Sequence, residues 1–211
     1  MARPKSTNID QRILEAAASK FFAHGFYKVS IDDLVAHLRT SKSTIYNHFN
    51  SKDALVEAIL ERFNQQLDHG LDTIIHDAAP NFQRKLEAVT ELTGKLLSQV
   101  GERFWQDLKT YMPDHWQAYQ DRRVERLRNF YGALLKQGID QGLLRTDIDE
   151  DFMLLMYTKL SEIVIQPELL QTMSISNVDA YQFITQLFLE GTLTPNGRAI
   201  LESSESEPAQ R

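Results

Sequence analysis

Residues 41–55, SKSTIYNHFNSKDAL, carry the pattern that decides the fold of this 211-residue chain. Ser41 is a good helix N-cap, because its hydroxyl can accept a hydrogen bond from a free amide of the first turn. Ile45 and Phe49 form the apolar stripe of a helix only about two turns long, which needs tertiary support to be stable. Ser51 then caps a new helix. A short, supported helix with basic and hydrogen-bonding side chains on its outer face suits insertion into a DNA major groove.

The preceding segment predicts the rest of a helix-turn-helix. Ser30 and Asp33 have the spacing of a capping box and open a helix whose apolar residues recur at helical intervals up to Leu38. Gly25 stands where a left-handed residue would end an earlier helix. Residues 9–50 are therefore expected to form three helices around one small core. The predicted core residues are Phe21, Phe22, Phe26, Leu34, Ile45 and Phe49.

The run from Ala17 to Phe26, the segment from Ser30 to Leu38 and the stretch 41–55 together resemble the DNA-binding domain of the TetR family of one-component bacterial regulators. The resemblance covers about a quarter of the chain and includes many fixed spacings. One departure is the turn before the short helix, where the family commonly has Ala-Gly-Val and this chain has Leu-Arg-Thr. Without glycine, Arg39 must either adopt a left-handed backbone or reshape the turn.

The short helix and the resemblance together predict a set of DNA-contacting residues. Lys42, Thr44 and Asn47 are expected to reach bases, because the first turn and the outer face of such a helix enter the groove. The resemblance implies phosphate contacts for Lys52 and for the tyrosine and histidine of the short helix. The predicted DNA-binding residues are Ser30, Arg39, Ser41, Lys42, Ser43, Thr44, Tyr46, Asn47, His48 and Lys52.

The charge distribution supports a DNA-binding head in an acidic chain. The whole chain has a formal net charge of −6 at pH 7. Residues 1–55 contain eight basic and five acidic residues, a net charge of +3, so the remainder carries −9. Affinity for phosphate depends on the local surface rather than on the total charge. The alternative, that these basic residues are ordinary solvated charges, is disfavoured by the motif that accompanies them.

Several classes of protein find no support in the sequence. The chain has no cysteine, no signal-peptide core and no apolar run of about eighteen residues, so a cytoplasmic protein without a membrane segment is expected. It contains no glycine-rich phosphate loop, His-Glu-x-x-His or Gly-x-Ser-x-Gly motif. We therefore expect neither an enzyme nor a cofactor.

An all-α fold is predicted, because apolar residues recur at helical spacing after the head, with no alternating strand pattern. The predicted organisation is a flexible arm at 1–8, a helix-turn-helix DNA-binding domain at 9–55, a ligand-binding and dimerisation domain at 56–201, and a disordered tail at 202–211. The helices predicted after the head span about 52–78, 81–100, 102–112, 114–142, 151–165 and 178–189.

The last two predicted helices indicate a homodimer. The helix at 151–165 is apolar nearly all round, and a single protomer has difficulty burying such an element. The last helix carries two apolar stripes, Tyr181-Ile184-Phe188 and Phe183-Leu187, of which one can face its own domain and the other a partner. The resemblance implies a four-helix bundle across a two-fold axis; the alternative is a monomer core. The assigned interface residues are Leu155, Ile163, Tyr181, Ile184 and Phe188.

The densest aromatic cluster of the chain surrounds Pro113, near the place where the family binds its inducer. Large rings beside an irregular segment can line an apolar cavity with a few polar tips, although they could equally pack a core. The predicted ligand-binding residues are Phe104, Trp105, Leu108, Tyr111, Trp116, Tyr119 and Met156. Met153, Tyr157 and Leu160 are further candidates for the wall that Met156 would supply.

Two weaker patterns remain. His69, Asp72 and His76 share one helix face, but no further metal ligand is identified, so no metal site is assigned. Glu162 with Lys159 is either a pair at the edge of the dimer or a counter-charge for a cationic inducer.

The predicted function is a transcriptional repressor that binds a palindromic double-stranded DNA operator as a homodimer and is released by a small apolar or aromatic inducer. The alternative of a DNA-binding dimer that has no ligand and is controlled by a partner protein stays open.

Overall fold

The computed structural model describes residues 6–78, 81–165 and 172–205, and in these residues it confirms the all-α class. Besides its α-helices it contains a π-helical segment, Leu127–Tyr131, and a 3-10 turn, Glu162–Ile165. The helices are α1 Ser6–His24, α2 Ile31–Leu38, α3 Lys42–His48, α4 Lys52–His76, α5 Phe82–Ser98, α6 Glu102–Tyr111, α7 Pro113–Arg126, α8 Gly132–Asp140, α9 Glu150–Ser161, α10 Asn177–Thr192 and α11 Pro195–Glu205.

The two ends of the chain are more helical than predicted. Helix α1 begins within the predicted arm, and α11 extends into the predicted tail; residues 1–5 and 206–211 lie outside the described residues. Helix α11 itself was not predicted. Pro195 stands at its first position, where the missing amide is tolerated, and the Gly197 amide donates to Thr194 Oγ1 at 3.0 Å.

The region predicted as one helix at 114–142 is interrupted. It begins one residue earlier, at Pro113, and the π-helical segment separates α7 from α8. A π turn widens the helix locally and is frequent at functional sites. Helix α9 begins at Glu150, one residue before the predicted start, with the Phe152 amide donating to Asp149 Oδ1 at 2.9 Å, and it ends at Ser161 rather than at 165.

The chain divides into two compact units. The head unit contains Met1–Leu67 and Ser98–Ala118, and the C-terminal unit contains Asp68–Leu97 and Tyr119–Arg211. The head unit is larger than the predicted domain at 9–55, because α6 and the first part of α4 belong to it. The division at residue 55 between a DNA-binding domain and a ligand-binding and dimerisation domain stays a prediction.

The core of the head unit is built largely from the predicted residues. Phe21, Leu34 and Ile45 are fully buried, whereas Phe22 and Phe49 are half-buried. Helix α6 closes this core, because the Phe104 ring meets the Phe22 ring edge-on at 5.0 Å. Such aromatic pairs add to the free energy gained by burying the rings.

The C-terminal unit has its own apolar core. Its buried members come from α5, α8, α9 and the two segments that follow α8 and α10, where Leu144 and Leu193 form an isolated antiparallel bridge. In the described part of the chain, no helix is both long and apolar enough to cross a membrane. The core residues are Phe82, Leu134, Leu135, Leu143, Leu144, Met153 and Leu193.

Candidate nucleic-acid interface and ligand cavity

Helix α3 is held by its inner face and by its N-terminus. Ile45, on the inner face of this helix, is fully buried. The Ser41 hydroxyl accepts a hydrogen bond from the Thr44 amide at 3.0 Å and lies 2.8 Å from the hydroxyls of both Ser43 and Thr44. The structure therefore confirms Ser41 as the N-cap, and the cap fixes the start of the helix.

Helix α2 begins with the predicted capping box. The Asp33 amide donates to Ser30 Oγ at 3.2 Å, and the Ser30 amide donates to Asp33 Oδ2 at 2.7 Å. The hydrogen bonds from the Ser30 hydroxyl and amide lower the pKa of Asp33. Ser30 thus positions α2, and its contact with DNA stays a prediction.

In the turn between α2 and α3, Arg39 adopts the left-handed backbone, which was one of the two possibilities that the sequence left open. Arg39 has φ 51° and ψ 49°, in the left-handed region, and its amide donates to the Val35 carbonyl. The Thr40 amide donates to the same carbonyl at 3.2 Å. These bonds stabilise a conformation that costs a non-glycine residue roughly 1–2 kcal/mol.

The outer face of α3 is polar and exposed. Ser43, Tyr46 and Asn47 are all exposed, and Thr44 is half-exposed at the first turn. Hydroxyl and amide groups at such positions can donate to and accept from base edges and phosphates. The structure thus brings together on one surface four of the ten residues that the sequence assigned to DNA.

Two predicted contacts are engaged with carboxylates. Lys42 Nζ donates to Asp32 Oδ2 at 2.9 Å, and this hydrogen bond raises the pKa of Lys42. Both side chains are more than half exposed, so the pair is weak and can exchange for a phosphate. His48 Nδ1 is paired with the carboxylate of Asp10, which ties α3 to α1.

Lys52 has a structural role that the sequence did not predict. Its Nζ donates to the Tyr27 carbonyl at 3.3 Å and lies 6.0 Å from the centroid of the Phe21 ring. Burial lowers the pKa of Lys52, while Asp107 raises it. Lys52 therefore stabilises the segment after α1, and a phosphate contact from this side chain stays a prediction.

Arg12 was missed by sequence reasoning. It lines a groove of about 180 Å³ that Arg39 and Thr44 also line, beside the first turn of α3. Two guanidinium groups beside exposed hydroxyls suit contacts to the DNA backbone. Only the position of Arg12 on the exposed face of α1 could have indicated this.

Replacing Arg39 by glycine is expected to separate stability from DNA affinity. Glycine adopts the left-handed turn without strain, so the free energy of unfolding should stay constant or rise by about 1 kcal/mol. DNA affinity should fall, and the slope of log affinity against log salt should flatten by about one, because a phosphate-binding cation is lost. Arg39→Ala is the control: it loses the same charge and keeps the strain. If the salt dependence of DNA affinity is unchanged in both variants, Arg39 does not contact DNA phosphates.

The predicted ligand-binding residues are divided between the two units. Phe104, Trp105 and Leu108 are almost fully buried in the head unit, where the Trp105 ring meets the Phe63 ring edge-on at 5.9 Å. The Trp116 ring follows at 6.5 Å from that of Trp105. These rings are packed as core, which was the alternative in the sequence analysis.

The other members of the set lie elsewhere. Tyr111 is 49% exposed and stacks on Tyr27, with ring centroids 4.1 Å apart. Tyr119 is buried in the C-terminal unit, and Met156 is 41% exposed on α9. The assignment of these residues to a ligand site stays a prediction.

A cavity of about 30 Å³ lies instead inside the C-terminal unit. Its wall is mainly apolar and ring-lined, with hydroxyl groups from three tyrosines. We call it the tyrosine cavity. The lining residues are Phe82, Leu86, Thr90, Tyr131, Leu134, Leu135, Leu144, Tyr157, Tyr181, Thr185, Phe188 and Leu189.

The hydroxyl groups of the tyrosine cavity form a linked polar cluster. The Tyr131 hydroxyl lies 3.2 Å from that of Tyr181 and 3.4 Å from Thr93 Oγ1, and the Tyr157 hydroxyl lies 3.3 Å from Thr185 Oγ1. Burial raises the pKa of all three tyrosines, so they stay neutral at physiological pH. Of these rings, the sequence analysis named only Tyr157 as a wall candidate.

The apolar stripe assigned to the dimer interface on α10 faces inward. Tyr181 and Ile184 are buried within their own unit, and Phe188 lines the tyrosine cavity. The other stripe of the same helix is outward, with Phe183 59% and Leu187 66% exposed. The assigned stripe is therefore covered by its own unit, and the place of the dimer interface stays a prediction.

Helix α9 contributes a second exposed apolar surface. Phe152, Leu155 and Met156 are 53%, 52% and 41% exposed, and α9 packs against α10. Leu155 therefore stays a candidate for the interface, and Ile163 is half-buried. We call the exposed apolar residues of the two helices the apolar face; they are Phe152, Leu155, Met156, Phe183 and Leu187.

Two of the three residues that share a face of α4, Asp72 and His76, contact each other. His76 Nδ1 lies 3.0 Å from the carbonyl oxygen and 3.1 Å from Oδ1 of Asp72. Within the residues that the structure describes, no group of three or more potential metal ligands converges.

A short helix with a buried inner face, a capped N-terminus and an exposed polar outer face, preceded by a tight turn and a second helix, defines a helix-turn-helix DNA-binding protein. Comparison with known proteins agrees. Residues 13–59 match the family model described as bacterial regulatory proteins, tetR family.

Relatives and solved structures extend this similarity. The uncharacterized HTH-type transcriptional regulator YvaF of Bacillus subtilis (strain 168) is 28% identical over 160 residues, which cover 76% of this chain and 83% of YvaF. The HTH-type transcriptional repressor KstR2 of Mycobacterium tuberculosis (strain ATCC 25618 / H37Rv) is 24% identical over 147 residues, 66% of this chain and 70% of KstR2. The fold is similar to that of a TetR-family transcriptional regulator from Marinobacter aquaeolei VT8, with a TM-score of 0.73, 18% identity, and coverage of 94% of this chain and 98% of the other.

The match over residues 13–59, the relatives and the fold together support a regulator of the TetR family. The chain is a DNA-binding transcriptional regulator, and its relatives and fold are those of regulators rather than of enzymes.

Proposed function

We propose that this protein is a ligand-responsive transcriptional repressor that binds a palindromic operator as a homodimer. The observation that carries the proposal is α3 itself. Its apolar residue Ile45 is fully buried, whereas Ser43, Tyr46 and Asn47 point outward from a capped and supported helix. A helix presented in this way can read base edges in the major groove.

The apolar face supports dimerisation. Large apolar side chains clustered on two packed helices are typical of interaction surfaces rather than of a free monomer surface. A second copy of the chain is the occupant that the function requires, because a two-fold dimer reads two half-sites of a palindrome. We therefore revise the proposed interface to Phe152, Leu155, Met156, Phe183 and Leu187.

The tyrosine cavity supports a ligand response. Its volume of about 30 Å³ is small beside ligand pockets of roughly 300–1,000 Å³, so a ligand has to enlarge it. Tyr131 lies at the end of the π-helical segment, where the helix is locally irregular. A ligand that binds only the enlarged state shifts the protein toward that state.

The coupling to DNA is proposed to run through α4. This helix is continuous from Lys52 to His76, and its residues belong to both units. A displacement of its C-terminal half would change the placement of the two heads of a dimer on DNA. The ligand must prefer the non-binding state by the free energy that it removes from operator binding.

Selecting DNA sequences that bind to the purified protein tests the proposal, and an inverted repeat is expected. Asn47→Ala should weaken binding by about 1–3 kcal/mol and relax the preference at particular base pairs, because an amide that reads a base edge is lost. Gln65→Ala, an exposed polar change on α4, is the matched control and should bind normally.

Two results would contradict parts of this function. Selected sites without inverted symmetry would contradict the dimeric reader, and an unchanged sequence preference for Asn47→Ala would contradict base reading by α3. A thermal-shift screen with small molecules tests the ligand, since a ligand of the folded state raises the melting temperature. A regulator controlled only by a partner protein would show no shift.

A further inference from the structure

Arg123 of α7 is a buried cation whose direct hydrogen-bond partners are neutral. Its side chain is only 10% exposed. Nε donates to Gln120 Oε1 at 3.1 Å, and Nη1 donates to Ser161 Oγ at 2.9 Å. The carboxylate that pairs with it among the described residues, Glu162, lies 3.9 Å from Nη2, beyond hydrogen-bond distance.

The carboxylates in this region are shared between cations. Glu162 Oε1 also accepts a hydrogen bond from Lys159 Nζ at 2.8 Å. Asp68 is paired with both Arg122, at 2.8 Å, and Arg126. Both carboxylates are thus engaged by cations other than Arg123.

Arg123 itself lies in a buried position. Burial lowers the pKa of Arg123, and Arg126 lowers it further, although Tyr119 and Glu162 act in the opposite direction. A buried charge without a close counter-ion is unfavourable. A planar guanidinium in a buried position is well suited to bind a carboxylate with two hydrogen bonds.

Arg123 lies close to the tyrosine cavity. Its partner Ser161 follows Tyr157, a cavity-lining residue, by one turn of α9. One turn of four residues is about 6 Å along the helix axis. A molecule with an apolar body in the cavity therefore needs to extend by only about one helical turn to place a terminal group at the guanidinium.

We propose that the C-terminal unit binds an amphipathic carboxylate, with the carboxylate group on Arg123 and the apolar body in the tyrosine cavity. A neutral apolar molecule would leave Arg123 with only the carboxylate of Glu162 at 3.9 Å, and a small polar anion would leave the cavity unfilled. The proposal rests on the ligand-responsive function proposed above and names the chemical class of the ligand.

Matched acids and alcohols test the proposal on the full-length protein without DNA. The probes are decanoate and 5-phenylpentanoate, each beside its alcohol, 1-decanol and 5-phenylpentan-1-ol. Calorimetry should show that at least one acid binds at least about tenfold more tightly than its alcohol, the size expected for a hydrogen-bonded charge pair. Equal affinities, or no binding by either acid at millimolar concentration, would overturn the proposal.

Variants of Arg123 locate the carboxylate. Arg123→Gln should lose at least about tenfold in acid affinity and nothing in alcohol affinity, and Arg123→Lys should be intermediate. Arg122→Gln, which removes a partly exposed charge from the same helix, is the control and should bind acids normally. Should Arg123→Gln fail to fold, Arg123→Lys and the acid–alcohol comparison in the unmodified protein still decide. Unchanged acid affinity in a folded Arg123 variant would overturn the assignment.

Operator binding separates this proposal from the proposed function. Binding of the ligand-free protein to its selected DNA tests the reader, and acid binding without DNA tests the site. An acid that binds through Arg123 but leaves operator affinity unchanged would support the site and contradict its regulatory role.

Discussion

Replacing Gly25 by alanine is expected to destabilise the head unit by about 2–5 kcal/mol and to remove most DNA binding. Gly25 ends α1 with φ +77°, a left-handed conformation. An alanine Cβ would overlap Asp107 Oδ2 and lie 2.6 Å from Arg103 Cγ. Since Asp107 Oδ2 accepts the Tyr27 amide at 2.8 Å, its displacement would also leave a buried carboxylate without that hydrogen bond.

Gly142→Ala is the matched control for this prediction. Gly142 has φ +70°, but an added Cβ would meet nothing within 4 Å. The control should therefore show the backbone strain alone, about 1 kcal/mol, with normal DNA binding. Chemical unfolding and DNA titration measure both effects. Equal destabilisation by the two substitutions would mean that the close approach of α6 to Gly25 is unimportant.

The head could be predicted from the sequence because its signals are local. Ser41 and the pair Ser30 and Asp33 cap helices within three residues of themselves, and the structure confirms these caps. Gly25 likewise ends α1 as predicted. At Arg39 the sequence left two turn conformations open, because the choice depends on the hydrogen bonds that the surrounding helices permit.

The roles of charged residues in the head were less predictable. Lys42 begins α3 and Lys52 begins α4, yet the exposed Lys42 pairs with Asp32 whereas Lys52 donates a hydrogen bond to the Tyr27 carbonyl. The partner of Lys52 is 25 residues distant in sequence. A pattern of residue types does not contain such long-range distances.

The tyrosine cavity could not be predicted from the sequence, because it forms by packing between segments that are distant in the chain. The tyrosine cavity combines side chains from residues 82 to 189, and no short motif connects Tyr131, Tyr157 and Tyr181. The aromatic cluster around Trp105 was conspicuous in sequence, but α6 packs it into the head unit. Both stripes of α10 have helical spacing, so periodicity alone could not decide which one faces inward.

The double substitution Phe183→Glu with Leu187→Glu is expected to dissociate the dimer. Both side chains are more than half exposed in the protomer, so the protomer itself should fold normally. In a two-fold interface each glutamate occurs twice, and burying an unpaired charge costs about 3–5 kcal/mol. Light scattering should then show monomers at micromolar concentration. Operator affinity should fall by about a hundredfold or more, because one of two half-sites is lost.

Val124→Glu is the control for the dimer prediction. Val124 is an exposed apolar residue of α7 in the same unit, at 37% exposure, and lies outside the apolar face. Its substitution should leave the dimer intact, because a glutamate that stays in water carries no desolvation penalty. The corresponding change at buried Ile184 should instead unfold the protomer, since that stripe faces the unit's own core. A Phe183 and Leu187 variant that remains dimeric would place the interface on another surface, while dissociation by Val124→Glu would extend it to α7.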